Sequence, residues 1–324
     1  MQALIIGHTG IVGQTLIDIM IKKNDIPRIL YLTSPRDSTT EVPIRPEISV
    51  ISFQESLQLT DLDIIYMCVP AEIVEKHYQE YLQKNDRVKI VDNSSYFRRN
   101  DNVKILISPI NGYLLFLPTK LRSERIFANS NCTTAGLLMA LFRVHQQYTL
   151  TRVRVVSFQS VSGSGYAGMD QLTHERQGDF TCKCYPTEIH DNVIPMIGTC
   201  EENISEEESK IIFETKKVLD DDKIDVYATC VRCPVMYCHS MAVEFSLQKY
   251  ATLNMVRDTM VMPQHVIVTD EIVTHQYVRQ KEEVFVSRLR KHNDNFFCFI
   301  TFDNLYRGAS LNSYEIGRML QIVR

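Results

Sequence analysis

The first ninety residues alternate short apolar runs with amphipathic stretches. Ala3–Ile6 is an unbroken apolar run of strand length, and Val12–Lys22 then places its apolar residues at helical spacing. Arg28–Leu32, Ile48–Phe53, Asp63–Val69 and Val88–Val91 read as four further strands. Pro70 ends the run at Val69, and Ala71–Gln83 follows as a helix. Strand–helix alternation of this kind predicts a parallel sheet with helices on both faces.

The pattern changes near residue 120. Cys132 opens an apolar helical stretch, Ala135–Tyr148, followed by a strand at Val153–Phe158, a Ser/Gly loop, and a polar region from Thr173 to Cys200. Glu206–Leu219 is a charged helix. Tyr227–Val235, Ser240–Leu247, His265–Val268 and Phe296–Phe302 read as strands, so a mixed α+β domain is expected here. Leu311–Leu320 is helical and is expected to pack back on the first domain.

Several segments carry candidate chemistry. Gly7-His8-Thr9-Gly10-Ile11-Val12-Gly13 lies between the first strand and the first helix. Glycines there permit a tight turn and close backbone approach to a dinucleotide pyrophosphate seated on the helix N-terminus, although an ordinary glycine turn has the same residues. The second strand is followed by Ser34-Pro35-Arg36. A hydroxyl and a guanidinium, where an NAD enzyme usually has an acid, favour a 2′-phosphate and hence NADP. A solvated loop arginine is the plainer alternative.

Cys132, in Asn129-Ser130-Asn131-Cys132-Thr133-Thr134, stands at a helix start, where the dipole favours a thiolate. Asn131 and Thr133 supply capping chemistry in the same turn. Taken alone, such a cysteine is more often a packed structural thiol than a nucleophile. The loop Gln159-Ser160-Val161-Ser162-Gly163-Ser164-Gly165 lets backbone approach a ligand, and Gln159 offers both a donor and an acceptor. Glu207 and Lys210 share one helix face, either as ligand contacts or as a surface ion pair. Arg98 follows the fifth strand, at the end where open parallel sheets bind ligands. Arg232 sits in an apolar strand and needs a partner, from the protein or from a ligand. His239, beyond an apparent turn, becomes a candidate acid/base once paired with a reactive cysteine.

Composition narrows the field. The 324 residues are 44% hydrophobic and 23% charged, with a net charge of -4, so a real core is expected and general attraction to nucleic acid is not. Nine widely spread cysteines, an odd number, argue for a reducing compartment rather than a disulfide framework. Cys182-x-Cys184, Cys230-x-x-Cys233 and Cys238-His239 have spacings at which zinc is conceivable. The missing second C-x-x-C and the apolar strand around Val231 favour buried thiols and no metal. The opening lacks a basic n-region and no apolar stretch reaches membrane-spanning length, so a cytoplasmic protein without a membrane partner is expected.

In order along nearly the whole chain, these segments resemble the aspartate-semialdehyde dehydrogenase family. The resemblance rests on the G-x-T-G-x-V-G opening, Asp92-Asn93-Ser94-Ser95-Tyr96-Phe97-Arg98, Asn131-Cys132-Thr133-Thr134 and Gln159-Ser160-Val161-Ser162-Gly163. It continues through Glu207-x-x-Lys210, Val231-Arg232-x-Pro234-Val235, His239-Ser240 and Asp303-Asn304-Leu305-x-x-Gly308-Ala309. It implies an α/β, Rossmann-like NADP-binding domain over 1–125, with a C-terminal helix about 308–324 returning to it, and an α+β catalytic and dimerisation domain with a mixed sheet over 126–307.

The implied roles are Cys132 as nucleophile, His239 as acid/base and Gln159 as orienting group. Arg232 would hold the substrate carboxylate, Glu207 its ammonium, and Arg98 and Lys210 phosphate. Thr9, Gly10, Ile11, Val12, Gly13, Ser34, Arg36, Ser162, Gly163 and Asn304 would contact NADP. The implied activity is NADPH-dependent reduction of aspartyl phosphate to aspartate semialdehyde in amino-acid biosynthesis, by a homodimer or homotetramer. Ser130 replaces a usual proline, His8 a usual alanine, Cys233 and Cys238 usual aliphatic or small residues, and Ser108-Pro109-Ile110-Asn111 a usual Pro-Glu-Val-Asn. No departure removes a reacting group. Two alternatives stay open: a related N-acetylglutamyl-phosphate or malonyl-CoA reductase, and a non-catalytic dinucleotide-binding homologue.

Overall fold

The computed structural model describes residues 1–35, 42–43, 45–117 and 123–322, and divides into two units, Met1–Ser130 with Ala309–Arg324, and Asn131–Gly308. In the first unit, β1 (Gln2–Ile6), α1 (Ile11–Lys22), β2 (Ile29–Thr33), β3 (Ile48–Val50), α2 (Phe53–Ser56), β4 (Ile64–Met67) and α3 (Ala71–Lys84) follow one another. β5 (Lys89–Asp92), β6 (Ile105–Leu106), α4 (Ser108–Asn111) and β7 (Ile126–Asn129) complete the run. Among the described residues the seven strands form one sheet of order β3-β2-β1-β4-β5-β7-β6, parallel throughout. The central strands are apolar because helices flank them: Ala3, Leu4, Ile5 and Ile64–Met67 are all buried.

One expected strand is shorter than read. Ile48–Phe53 stops pairing at Val50, because Ser52 and Glu55 form a capping box that starts α2 at Phe53. The Glu55 backbone N–H donates to Ser52 Oγ at 3.2 Å and the Ser52 N–H donates to the Glu55 carboxylate at 2.8 Å. The C-terminal helix Leu311–Ile322 also lies in this unit. Ser310 Oγ donates to the Val12 carbonyl at 2.9 Å, and Gly317 gives the Tyr66 ring room that a side chain would fill.

The second unit begins with α5 (Cys132–Tyr148), β8 (Leu150–Gln159) and α6 (Gly165–Arg176). A short hairpin, β9 (Cys200–Glu201) and β10 (Ile204–Ser205), leads into α7 (Glu206–Leu219). Then come β11 (Asp225–Arg232), β12 (His239–Leu247), α8 (Leu253–Met260), β13 (Val266–Val268), α9 (His275–Val278), β14 (Val284–His292) and β15 (Asn295–Phe302). Six strands form a mixed sheet of order β11-β8-β12-β15-β14-β13.

Period-two alternation sorts this sheet's faces. Val153, Val155, Met241, Val243, Cys298 and Ile300 are buried on the face that α5 covers, where Gly136 packs against the Phe302 ring. Val156 and Tyr227 lie on the opposite, open face. The expected strand Tyr227–Val235 ends at Arg232, since Pro234 has no N–H to continue a ladder. The expected polar region from Thr173 contains the end of α6, and α8 and β14 are elements beyond those the sequence pattern predicts. Among the described residues, no helix is long and apolar enough to cross a membrane.

Candidate active site

Three neighbouring strands deliver three polar side chains to one edge of the second unit's sheet. Gln159, the last residue of β8, is in register with Arg232, the last residue of β11, and with His239, the first residue of β12. Residues directly opposite in a ladder project from the same face, here the buried one. All three are buried, with His239 fully so. Phe302, the end of β15, also pairs with His239, and the chain continues into Asp303 and Asn304. The Asp303 carboxylate accepts the N–H groups of Gln280 (2.7 Å), Leu305 (2.9 Å) and Tyr306 (3.0 Å), which fixes the loop. Asn304 Oδ1 accepts the Cys238 N–H at 3.0 Å, and its Nδ2 donates to Ser162 Oγ at 3.1 Å.

Cys132 is the first residue of α5. Asn131 caps that helix, its Oδ1 accepting from Thr133 N–H at 2.9 Å and Thr134 N–H at 3.1 Å. Helix α7 holds the cap in turn. Asn131 Nδ2 donates to Glu207 Oε1 at 2.9 Å, and the Asn131 N–H donates to Glu214 Oε2 at 2.7 Å. Gln159 Nε2 donates to Glu207 Oε1 at 3.3 Å, so one buried carboxylate joins the helix start to the sheet edge. Lys210 Nζ lies 2.6 Å from Glu206 and 3.8 Å from Glu207. Gly308 passes directly over the cysteine: a Cβ there would sit 2.7 Å from Cys132 Cβ.

Arg232 is 4% exposed and makes no ion pair among the described residues. Its Nη1 donates to the Ser160 carbonyl at 2.6 Å, its Nε has no partner, and its guanidinium carbon lies 5.7 Å from the centroid of the Tyr185 ring. A buried cation without a counter-ion is costly unless a ligand supplies one. Gly163 packs against it so closely that a Cβ would meet Arg232 Nη1 at 2.8 Å and His239 Nε2 at 3.2 Å.

His239 has a defined tautomer. The Ser160 backbone N–H, a donor only, points at Nδ1 from 3.2 Å, so Nδ1 accepts and Nε2 carries the ring proton. That Nε2 is buried without a partner. Burial, then the Arg232 charge, then His275 hold the imidazole pKa well below the ordinary histidine value. Burial pushes the thiols of Cys68 and Cys298 up to about 12, and those of Cys230, Cys233 and Cys238 upward as well. Cys230, Cys233, Cys238 and Cys298 are core residues, and among the described residues no group of three His, Cys, Asp or Glu gathers to hold a metal.

The first unit carries the other expected residues. Gly7 has φ +89°, and a Cβ on it would press into the Cys68 carbonyl; one on Gly13 would press into the Gly7 carbonyl. Gly10 opens α1 without a side-chain cap, so the N–H groups of its first turn, which includes Ile11, Val12 and Gly13, remain available to an anion. Thr9 Oγ1 and Ser34 Oγ are 3.1 Å apart, and His8 Nδ1 and Thr33 Oγ1 are buried without partners. This is a loop that fits a dinucleotide. Arg36 lies outside the described residues. Arg98 is buried, its Nε donating to the Asn129 carbonyl at 2.9 Å and its Nη2 to the Asn93 carbonyl at 3.0 Å.

Two family models match the chain in sequence: "Semialdehyde dehydrogenase, NAD binding domain" over residues 2–115 and "Semialdehyde dehydrogenase, dimerisation domain" over 141–307. The chain belongs to the semialdehyde dehydrogenase family. Aspartate-semialdehyde dehydrogenase of Shewanella violacea is 29% identical over 335 residues, covering 98% of this chain and 97% of that protein. The crystal structure of aspartate semialdehyde dehydrogenase II from Vibrio cholerae superposes with a TM-score of 0.90 at 25% identity, over 99% of this chain and 98% of that one; a second structure holds it complexed with ASA. The Candida albicans enzyme, solved with NADP, shares the fold at 18% identity and a TM-score of 0.72, over 99% and 98% of the two chains.

Of the expected residues, the second unit carries Cys132, Gln159, Ser162, Gly163, Glu207, Lys210, Arg232, His239 and Asn304. The glycine loop, Ser34 and Arg98 belong to the first. Sequence reasoning named Ser160 in the candidate loop but gave it no role, and its backbone faces His239; it missed Tyr185, whose ring faces Arg232. It also missed Glu214, although this residue lies seven positions after Glu207 and so on the same helix face.

Proposed function

We propose that this chain is an NADP-dependent aspartate-semialdehyde dehydrogenase, reducing L-aspartyl 4-phosphate to L-aspartate 4-semialdehyde and running the phosphorylating oxidation in reverse. The observation that carries this reading is the buried Arg232 guanidinium, without a counter-ion and with its Nε unpartnered, beside the unpartnered Nε2–H of His239. That pair suits a substrate with a carboxylate and a reacting carbonyl oxygen.

The Cys132 thiolate attacks the acyl carbonyl, the carbon–oxygen bond to phosphate breaks, and a thioester remains on the sulfur. Arg98 and Lys210 hold the departing phosphate. Bound NADPH supplies the hydride that the thioester carbon accepts. As the carbonyl electron pair becomes an alkoxide, His239 Nε2–H stabilises and protonates it; the proton returns to His239 when the carbonyl re-forms and the carbon–sulfur bond breaks. Because burial and Arg232 keep the imidazole neutral, its part at Nε2 is that of a donor to oxygen. Gln159 orients the acyl group, Arg232 takes the α-carboxylate through its fork, and Glu207 takes the ammonium.

Thr9, Gly10, Ile11, Val12 and Gly13 would hold the pyrophosphate, Ser34 and Arg36 the 2′-phosphate, and Ser162, Gly163 and Asn304 the nicotinamide end. Self-association as a homodimer or homotetramer would use the open face of the second sheet, where Val156 and Tyr227 stand exposed. The test is NADPH formation by purified protein from aspartate semialdehyde and phosphate, run beside N-acetylglutamate semialdehyde. Turnover of the first alone is expected. Preference for the second, which has no ammonium for Glu207, would replace the substrate assignment. No turnover of either would favour a dinucleotide-binding homologue.

A further inference from the structure

Asn131, the residue before Cys132, has every polar group engaged, and two of its partners come from one helix. Its Oδ1 caps Thr133 and Thr134, its Nδ2 goes to Glu207 at 2.9 Å, and its backbone N–H goes to Glu214 at 2.7 Å. That N–H precedes α5 and takes no part in the helix's own ladder. Asn131 is 7% exposed and Glu214 1%, so water is a poor substitute for either partner. Glu207 and Glu214 are two helical turns apart on α7, about 10 Å of rise. They therefore meet the cap from different positions. Glu207 Oε1 also accepts from Gln159, Lys210 lies near the carboxylate, and the proposed reaction gives it the substrate ammonium as well, so its contact with Asn131 has competitors. The bond to the backbone N–H has no such competitor in the proposed reaction.

We infer that Glu214 is a positioning residue for the nucleophile: its carboxylate fixes the backbone of the helix cap and so the place of Cys132 in the first turn of α5. This rests on the reading of Cys132 as nucleophile. The acceptor oxygen is what matters, and its reach is specific. Glutamine at 214 keeps an Oε1 at the same length. Aspartate is one carbon shorter, about 1.5 Å, which withdraws the acceptor from a 2.7 Å bond. Alanine removes it.

The test compares Glu214→Gln, Glu214→Asp and Glu214→Ala, with Cys132→Ala as reference. Three quantities are read: kcat, the KM for aldehyde and NADP, and the iodoacetamide alkylation rate of the Cys132 peptide by mass spectrometry. A misplacement approaching 1 Å costs up to about 100-fold, so kcat in the Asp and Ala variants should fall roughly 10- to 100-fold. The alkylation rate should change with it, and both KM values should stay within about threefold, since binding groups are untouched. The Gln variant should stay close to wild type in all three. If Ala does not fold, the Asp–Gln comparison decides alone. Wild-type kcat and alkylation in the Asp variant would overturn the inference, and so would a Gln variant as impaired as Asp. Retained turnover in Cys132→Ala would overturn the covalent reading beneath it; the alkylation comparison would still decide whether Glu214 places the thiol.

Discussion

Alanine at position 163 would place its Cβ 2.8 Å from Arg232 Nη1, 3.2 Å from His239 Nε2 and 3.3 Å from His239 Cε1. Ordinary contact starts at 3.4 Å, so the guanidinium must retreat by about 0.6 Å (3.4 less 2.8) and the imidazole by a few tenths. Nη1 also donates to the Ser160 carbonyl at 2.6 Å, and Ser160 in turn holds His239 Nδ1, so the shift reaches both groups. Weakening a hydrogen bond to a buried charge costs up to about 1.5–3 kcal/mol. A displacement of this size should lower kcat/KM roughly 10- to 100-fold, about 1.4–2.7 kcal/mol of transition-state stabilisation. The control is Gly165→Ala. Gly165 has φ +69° and ψ -160°, with nothing within 4 Å of a Cβ, so its cost, about 1–3 kcal/mol, falls on the backbone and on stability rather than on kinetics. The assay is NADPH formation at varied aldehyde, with thermal unfolding of both variants. A folded Gly163→Ala protein within twofold of wild-type kcat/KM would show that this glycine is not needed for the approach of Arg232 and His239.

Other predictions follow from the same geometry. Arg232→Lys should lower kcat/KM for the aldehyde by about 100-fold despite the retained charge, because lysine cannot donate a parallel pair of hydrogen bonds; equal kinetics would remove Arg232 from the carboxylate site. Lys210→Ala should raise the KM for phosphate more than that for aldehyde, and Glu207→Ala the reverse, both read from initial rates. Because the folded pKa of His239 lies below the unfolded value of about 6.5, its contribution to stability is complete above that pH and is lost as pH falls below it, by at most about 1.4 kcal/mol per pH unit. His275 is shifted the same way and adds to the same window. Denaturant titrations from neutral pH down through pH 5 should therefore show a shallower loss in His239→Gln than in wild type, and an unchanged slope would contradict a buried neutral His239.

The parts of the fold visible in the sequence are those where one physical pattern acted alone. Ala3–Ile6 of β1 and all of β4 are continuous apolar runs, as strands of a helix-covered parallel sheet are, and α1 and α7 carry clear helical periodicity. β6, with two residues, is too short for any period to show. α6 begins directly in the Ser/Gly loop, and its buried Gln171 and Glu175 look like surface residues until their partners are known. Gln171 Oε1 accepts the Tyr185 N–H at 2.7 Å and Glu175 accepts the N–H groups of Ile189 and His190, holding an irregular segment that no local pattern marks. The candidate residues themselves were legible through spacing and motif. What spacing could not show was register: that Gln159 stands opposite both Arg232 and His239, or that a carboxylate two turns along α7 grips the backbone before Cys132.

The proposed mechanism stands on a covalent acyl group at Cys132, and omitting phosphate isolates it. Enzyme mixed with aspartate semialdehyde and NADP in phosphate-free buffer should form about one NADPH per active site in a burst and then stall. Mass spectrometry of the quenched protein should find an aspartyl acyl group on the Cys132 peptide, discharged when phosphate is added and absent from Cys132→Ala. A burst without any adduct on Cys132, or sustained turnover by the alanine variant, would contradict the mechanism.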